Sequence, residues 1–248
     1  MKDMLINLIE KIKEYQVILL GLFLALAIMF SAVVIGRNFA KDSITVTGSA
    51  YEIVKSDSAS WVLNINVKNK TRAGAYATVK KQIPIVEKYL EENGISKDQF
   101  SVMTPNTWET YAIDSSGHTT NEIAYYNFNQ PLKINSKDVE KIKDLSVRAQ
   151  DLLEQGVEVT SEAPEYQYSG LSDLKIKLLE QASIDAKKRA QAMLKPNHNR
   201  AGKIRSIKMG VFQITPADSN SVSDYGISDL TTIDKKATAV ANVVFSIK

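Results

Sequence analysis

The sequence contains no cysteine and only two histidines among its 248 residues. The absence of cysteine excludes disulfide bonds, thiolate metal sites and a cysteine nucleophile. It does not indicate a compartment, because a cysteine-free chain is stable in reducing and oxidising environments alike. His118 and His198 lie in polar stretches without a second ligand at zinc-site spacing, so we interpret both as solvated side chains. We therefore expect no cofactor and no metal.

Motifs that carry chemistry are missing as well. The sequence has no phosphate-binding loop, no dinucleotide-binding glycine pattern and no nucleophile elbow. The acids between residues 214 and 236 lack the order of acids, glycine and terminal glutamate that an EF-hand requires. These absences predict a protein that is not an enzyme. The alternative is a hydrolase of envelope material with its site beneath residues 214–236, because long loops often cover sites.

An excess of one charge is also lacking. The whole chain has 31 Lys and Arg against 28 Asp and Glu, and residues 43–248 have 26 against 24. Nucleic-acid binding depends on a clustered basic surface that releases phosphate counterions. The near-neutral composition therefore argues against a nucleic-acid partner.

The most prominent feature that is present is one long apolar run, Tyr15–Gly36. Its 22 residues include no Asp, Glu, Lys or Arg. As a helix the run is ~33 Å long, enough to cross a hydrocarbon core of ~30 Å. A cleavable signal peptide is the alternative, but its apolar core is only ~7–15 residues long. We therefore predict a transmembrane helix at residues 15–36 that acts as an uncleaved signal anchor.

The flanks of this run bear on its orientation. Three lysines and the amino terminus precede it, whereas Arg37 and Lys41 follow it. The positive-inside bias then places the N-terminus in the cytoplasm and the C-terminal domain outside it, in a single-pass membrane protein. Residues 1–14 have apolar positions on one helical face. They form either an amphipathic segment on the membrane surface or an extension of the span.

The rest of the chain predicts an α+β domain at residues 44–248, after a linker at residues 37–43. The order strand, helix, strand, strand occurs twice, in residues 44–135 and 156–248, and a helix at residues 136–155 bridges the two units. Each βαββ-like unit should form a mainly antiparallel sheet with its long helix on one face.

The sequence also predicts helix ends, one strand and one helix face in this domain. Thr71 is a predicted N-cap, and Asn93-Gly94 should end the helix that begins there. Residues 157–168 read as one strand. Small residues at every fourth position of residues 171–194 should allow that helix to lie close to a sheet.

Several stretches resemble one known family. They are ITVTGSAYEIVKSDSASWVLNINV at residues 44–67, LEENGI at 90–95, LLEQASIDAKKRAQAML at 178–194, AGKIRSIKMG at 201–210 and ATAVANVVFSI at 237–247. In this order they are similar to the SIMPL-domain (DUF541) family. The resemblance implies a membrane-anchored bacterial envelope or periplasmic protein, in a family with links to oxidative stress and one large, channel-like ring. It implies no catalytic residues. The chain departs from the family in PNHNRAG, residues 196–202, where members often have a shorter stretch, and in its long Asp- and Ser-containing loop.

Five tyrosines are the candidate contacts for an oligomer or a partner. They are Tyr111, Tyr125, Tyr126, Tyr166 and Tyr168. Tyrosine is enriched at protein interfaces, and packing in the core is the alternative role. The sequence thus predicts an envelope scaffold that contacts the membrane and either copies of itself or another envelope protein.

Overall fold

The computed structural model describes residues 2–39, 42–221 and 223–248, with the backbone alone for residues 2–14 and 37–39. The helices are α1 (Lys2–Phe39), α2 (Arg72–Glu92), α3 (Val139–Arg148) and α4 (Leu171–Leu194). The strands are β1 (Ser43–Lys55), β2 (Ser58–Asn69), β3 (Phe100–Val102), β4 (Asn106–Ile113), β5 (Thr119–Ser136), β6 (Val159–Ser161), β7 (Glu165–Gln167), β8 (Ala201–Met209), β9 (Gln213–Pro216) and β10 (Asp234–Ile247).

Helix α1 contains the predicted span. Tyr15–Gly36 is exposed throughout and is long and apolar enough to cross a membrane. The helix continues to Phe39, into the predicted linker at residues 37–43. Residues 40 and 41 of that linker, the side chains of residues 1–14 and the flanking charges that bear on orientation lie outside the described residues. The structure therefore confirms a candidate membrane helix at this position.

The strands form two sheets. In the first, the order is β1-β10-β8, and β9 also pairs with β10. In the second, the order is β3-β5-β2-β6, and β4 pairs with β5 while β7 pairs with β2. The pairs of β2 with β5, β6 and β7 are antiparallel, as is the pair of β9 with β10. This arrangement of antiparallel sheets and long helices confirms the α+β fold class.

Strand pairing does not follow the order of the two predicted βαββ-like units. Strand β1 comes from the first unit but lies in the sheet of β10 and β8, whereas β6 and β7 come from the second and pair with β2. The prediction of one strand over residues 157–168 is wrong. Strand β6 ends at Ser161 and β7 begins at Glu165. Pro164 lies between them and has no N–H with which to continue the ladder.

The chain forms two compact units. Unit 1 comprises residues 1–48, 183–208 and 241–248, and unit 2 comprises residues 49–182 and 209–240. In unit 2, the alternating face of β2 is buried: Trp61, Leu63 and Ile65 pack in one apolar cluster with residues of α2, α3 and β5. A second cluster joins residues of α4 to residues of β10.

The helix boundaries follow from local sequence. The Gly74 N–H donates to Thr71 Oγ1 over 3.1 Å, so Thr71 is the N-cap of α2, as predicted. Asn93 is its C-cap, and Gly94 adopts the left-handed conformation with φ +79°. In α4, the small residues Ala182, Ala186 and Ala190 are fully buried. These features fix the ends of α2 and the buried face of α4.

Candidate interaction surface

Strands β4 and β5 form a hairpin that extends beyond the rest of its sheet. The pairing of β2 with β5 ends at Asn69 and Tyr126, whereas the pairing of β4 with β5 continues to Ile113 and Thr119. We call residues 106–125 the hairpin arm. In its outer part each strand has only the other as a neighbour among the described residues. A two-stranded ribbon of this kind is marginally stable in water by itself.

Large apolar side chains are exposed on the hairpin arm. Trp108 is 52% exposed and Ile113 is 69% exposed, and Tyr111 and Ile123 are also solvent-accessible. Clustered exposed apolar groups mark sites of interaction, and tryptophan and tyrosine are enriched in them. The hairpin arm therefore has the composition of a contact surface.

Cations fix the base of the hairpin arm to the body of unit 2. The Arg72 guanidinium donates to Glu109 Oε1 over 2.8 Å and lies 5.4 Å from the Tyr126 ring centroid. Lys68 Nζ lies 5.7 Å from the Tyr125 ring centroid. Cation–π contacts of this kind stabilise by about 0.5–1 kcal/mol at exposed sites. The base is thus held in place while the outer part remains accessible.

The turn that closes the hairpin arm has its own hydrogen bonds. The Asp114 carboxylate accepts from the N–H groups of Ser116 and His118, each over 2.9 Å. Gly117 has φ +83°, in the left-handed region that favours glycine. His118 is largely exposed beside Asp114. The turn therefore presents an ordered tip.

The free edge of β4 differs from that of β8. No strand pairs with either free edge in the described residues. Strand β8 carries Lys203, Arg205 and Lys208, and charged side chains of this kind oppose strand pairing. Strand β4 carries a single charge, Glu109, which Arg72 neutralises. The edge of β4 thus lacks the charges of β8, and its irregularity is limited to two register shifts between Thr110 and Ile113.

The structure brings together three of the five predicted tyrosines. Tyr111, Tyr125 and Tyr126 lie on or at the base of the hairpin arm. Tyr166 is 5% exposed and packs in the core of unit 2, and burial raises the pKa of its hydroxyl. Tyr168 is half-buried and packs against the cluster of α4 and β10. For these two residues the structure favours the core role.

Sequence reasoning did not single out Trp108 and Ile113 as candidate contact residues. Both belong to an alternating strand, and such a pattern is typical of a half-buried sheet. The missing signal was the register, because only the pairing shows that β4 and β5 continue past β2. The difference in charge between β4 and β8, in contrast, could have been recognised from the sequence.

The loop of residues 214–236 is folded back on itself rather than forming a loose flap. The Ile214 N–H donates to the Ile227 carbonyl over 2.7 Å, and the Asp229 N–H donates to the Ile214 carbonyl over 3.0 Å. The Tyr166 N–H donates to the Leu230 carbonyl over 2.8 Å, which ties the loop to β7. The loop is thus part of the packed structure of unit 2.

Asp229 is the one buried acid among the described residues of this loop. Its carboxylate accepts from the hydroxyl groups of Thr231 and Thr232 and from Lys235 Nζ, which is 3.2 Å from Oδ2. Burial by itself would raise the pKa of Asp229, but the bonds from Thr232, Thr231 and Lys235 together outweigh burial and hold that pKa well below its usual range. A carboxylate so occupied is a structural acceptor and a poor general base.

Three cavities of unit 2 bear on the hydrolase alternative. One of about 460 Å³ is lined by two acids of the loop, Asp218 and Asp234, together with Lys143. A cavity of about 210 Å³ under the loop is lined mainly by apolar groups and aromatic rings, together with the Asp229–Lys235 pair. A wider groove of about 840 Å³ has a mixed lining that includes Lys133, Asp138 and Lys141. Within this groove Lys141 Nζ lies 3.8 Å from Asp138 Oδ2, and the acids Asp98 and Glu165 also line it.

In the described residues, no group of three or more His, Asp or Glu side chains is arranged to hold a metal ion. No curated protein matches the chain in a sequence comparison. A family profile does match: SIMPL, described as a protein of unknown function (DUF541), aligns with residues 44–245. This match covers both sheets, all the strands that support the hairpin arm, and α2 to α4. The chain therefore belongs to the SIMPL (DUF541) family.

Proposed function

We propose that this protein is a membrane-anchored scaffold that self-assembles through the hairpin arm, rather than a catalyst. The observation that carries the proposal is the exposed edge of β4, whose single charge is paired with Arg72, with Trp108, Tyr111 and Ile113 beside it. Antiparallel pairing of two such edges would satisfy the open backbone groups of both strands. It would also cover the apolar side chains of two arms at once.

A second copy of the chain is the occupant that this surface fits best. An antiparallel pair of identical strands is self-complementary, as a two-fold interface requires. A membrane span in each chain would confine the copies to one plane and raise their effective concentration. Another envelope protein that presents an open strand is the alternative occupant, and the experiment below distinguishes the two.

The proposal places the folded domain outside the cytoplasm, with Tyr15–Gly36 as an uncleaved anchor and the N-terminus inside. The family resemblance adds the expectation of a ring- or channel-like assembly linked to stress defence. A two-fold contact at the hairpin arm produces a pair, and a ring needs a further contact. The measured mass of the assembly will therefore separate the two forms.

The hydrolase alternative is not favoured by the loop of residues 214–236. Asp218, Asp224 and Asp234 are exposed, and Asp229 is occupied by Thr231, Thr232 and Lys235. Hydrolysis by paired acids requires two carboxylates that converge on one substrate. Asp218 and Asp234 line one cavity of about 460 Å³, and this exposed pair is the feature that the hydrolase alternative retains.

The test compares two isoleucines of equal exposure. Ile113 on the hairpin arm and Ile176 on α4 are both 69% exposed. We expect Ile113→Asp to lower the mass of the detergent-solubilised full chain, measured by light scattering, because it places a charge in the paired edge. Ile176→Asp is the matched control and should leave the mass unchanged.

Two results would contradict the proposal. One is a wild-type chain that stays monomeric at micromolar concentration. The other is an assembly that resists Ile113→Asp but dissociates with Ile53→Asp, on the exposed part of β1, because that would place the interface at another strand. A monomer that acquires mass only when membrane extract is added would identify a different envelope protein as the occupant.

A further inference from the structure

The two compact units carry opposite charge. In unit 1, residues 42–48, 183–208 and 241–248 hold 9 Lys and Arg against 2 Asp and Glu. Unit 2 holds 17 Lys and Arg against 23 Asp and Glu. The near-neutral total therefore conceals a strongly basic unit, and it is the unit that contains the membrane span.

One end of the sheet in unit 1 lies close to the anchor along the chain. The Ile247 N–H donates to the Asp42 carbonyl over 2.9 Å. Arg200 and Lys248 exchange two backbone hydrogen bonds of 2.8 and 2.9 Å. Six residues after Gly36 the chain reaches Asp42, a distance of at most about 20 Å. The segment at Arg200 is thus held beside the point where the chain enters the folded domain from the membrane.

The segment that follows α4 forms a basic groove at this end. This basic groove is an open cavity of about 460 Å³. Its lining residues are Gln191, Lys195, His198, Asn199, Arg200 and Ala201. The His198 N–H donates to the Lys195 carbonyl over 3.1 Å, and His198 itself has φ +57°. The backbone of the groove is therefore ordered in a conformation that is unusual for histidine.

The cations of the basic groove are available to a ligand. Lys195 and Arg200 are exposed, and neither forms a salt bridge with a described side chain. The same holds for Lys203, Arg205 and Lys208 of β8. Unit 1 thus presents a set of cations without internal counter-charges, and backbone hydrogen bonds connect Arg200 through Lys248 and Ile247 to Asp42, six residues after the span.

We infer that the basic groove binds the headgroups of anionic phospholipids in the leaflet next to the folded domain. Arginine and lysine are the side chains that bind phosphate, and the amides of Gln191 and Asn199 add neutral donors. Basic residues close to an anionic membrane surface attract it over about one Debye length. The inference rests on the membrane span in the proposed function but not on the hairpin arm.

The absence of cysteine allows a direct test. A single Asn197→Cys substitution places one fluorophore on an exposed residue beside the basic groove. The labelled full chain is reconstituted, one copy per nanodisc, into phosphatidylcholine alone or with phosphatidylglycerol. Each disc also contains a lipid with a spin label on its headgroup, which quenches the fluorophore at short range. Because a nanodisc exposes both leaflets, the measurement does not depend on the orientation in cells.

We expect stronger quenching in discs with phosphatidylglycerol, and a loss of the difference at high salt. Lys195→Gln with Arg200→Gln should reduce the docked-to-undocked ratio about 5-fold for each charge removed. The matched control is Lys80→Gln with Lys81→Gln, two exposed lysines of α2, and it should retain the wild-type quenching. Ile113→Asp should retain it as well, which separates this inference from the hairpin arm.

Three outcomes would overturn the inference. Quenching that is equal in the two lipids would show that the anionic headgroup is not recognised. An equal loss in the control variant would show that total charge, and not the basic groove, is responsible. Inorganic phosphate that abolishes the difference more effectively than chloride at the same ionic strength would identify free phosphate as the ligand. A chain that fails to enter the discs would contradict the anchor itself.

Discussion

At the scale of single residues, the buried pair of Lys235 and Asp229 is the most consequential contact in the loop of residues 214–236. Lys235 is 2% exposed, and its Nζ donates to the Asp229 carbonyl over 2.7 Å as well as to the carboxylate. Breaking such a pair from one side leaves an uncompensated charge in a low-dielectric interior. The pair therefore ties the end of the loop to the start of β10.

We expect Lys235→Met to lower the free energy of unfolding by about 3–5 kcal/mol, because it leaves the Asp229 carboxylate buried without its cation. Denaturant unfolding of the detergent-solubilised chain measures the loss, with fluorescence of the fully buried Trp61 as the signal. Lys80→Met replaces an exposed lysine and should change the free energy of unfolding by less than about 0.5 kcal/mol.

Adding Asp229→Asn to Lys235→Met removes the stranded charge while keeping an acceptor for the threonines. The double variant should therefore be more stable than Lys235→Met alone. A double variant of equal or lower stability would contradict the electrostatic explanation.

At the scale of the element, α4 depends on small side chains along one face. Ala182, Ala186 and Ala190 are fully buried, whereas Ala192 on the same helix is exposed. All of them are good helix formers, so helix propensity alone does not distinguish them. Burial distinguishes them, because the packed face has no free volume for a larger side chain.

Ala186→Leu should therefore destabilise the protein by about 1–3 kcal/mol through overpacking. Ala192→Leu adds the same atoms to the same helix on its exposed side and should be close to neutral. Thermal unfolding followed by circular dichroism compares the two midpoints. Equal midpoints would mean that the small residues reflect helix propensity alone.

At the scale of the whole molecule, the proposed location of the folded domain depends on the uncharged part of α1. A mainly apolar run of 22 residues gains far more free energy in lipid than a few flanking lysines contribute, at about 1 kcal/mol each. Insertion is thus strongly favoured, whereas its direction depends on a small difference in charge.

We expect the full-length chain to remain in the membrane after alkaline extraction of intact cells. External protease should reach residues 43–248 once any outer membrane is opened, because the positive-inside bias keeps the N-terminus in the cytoplasm. A soluble mature chain beginning near Val33 would contradict the anchor. Protection of the folded domain from external protease would contradict the predicted orientation of the span.

Much of the fold was predictable because its signals are local. The cap at Thr71 and the small residues of α4 depend on spacing within one element, and the structure confirms both. The strand over residues 157–168 was mispredicted although its signal was also local, since Pro164 breaks the ladder there. The destination of β1, which pairs with β10, is a long-range choice that no local pattern specifies.

The sequence by itself determined the candidate membrane helix, the α+β class and the family, because apolar length, periodicity and ordered motifs are properties of consecutive residues. Only the tertiary structure decided which tyrosines are accessible, since Tyr166 and Tyr111 are the same residue type in similar strand contexts and differ in what packs over them. It also decided where charge accumulates. A near-neutral composition is compatible with any distribution, and folding brought residues 183–208 and 241–248 together into the basic unit that carries the span.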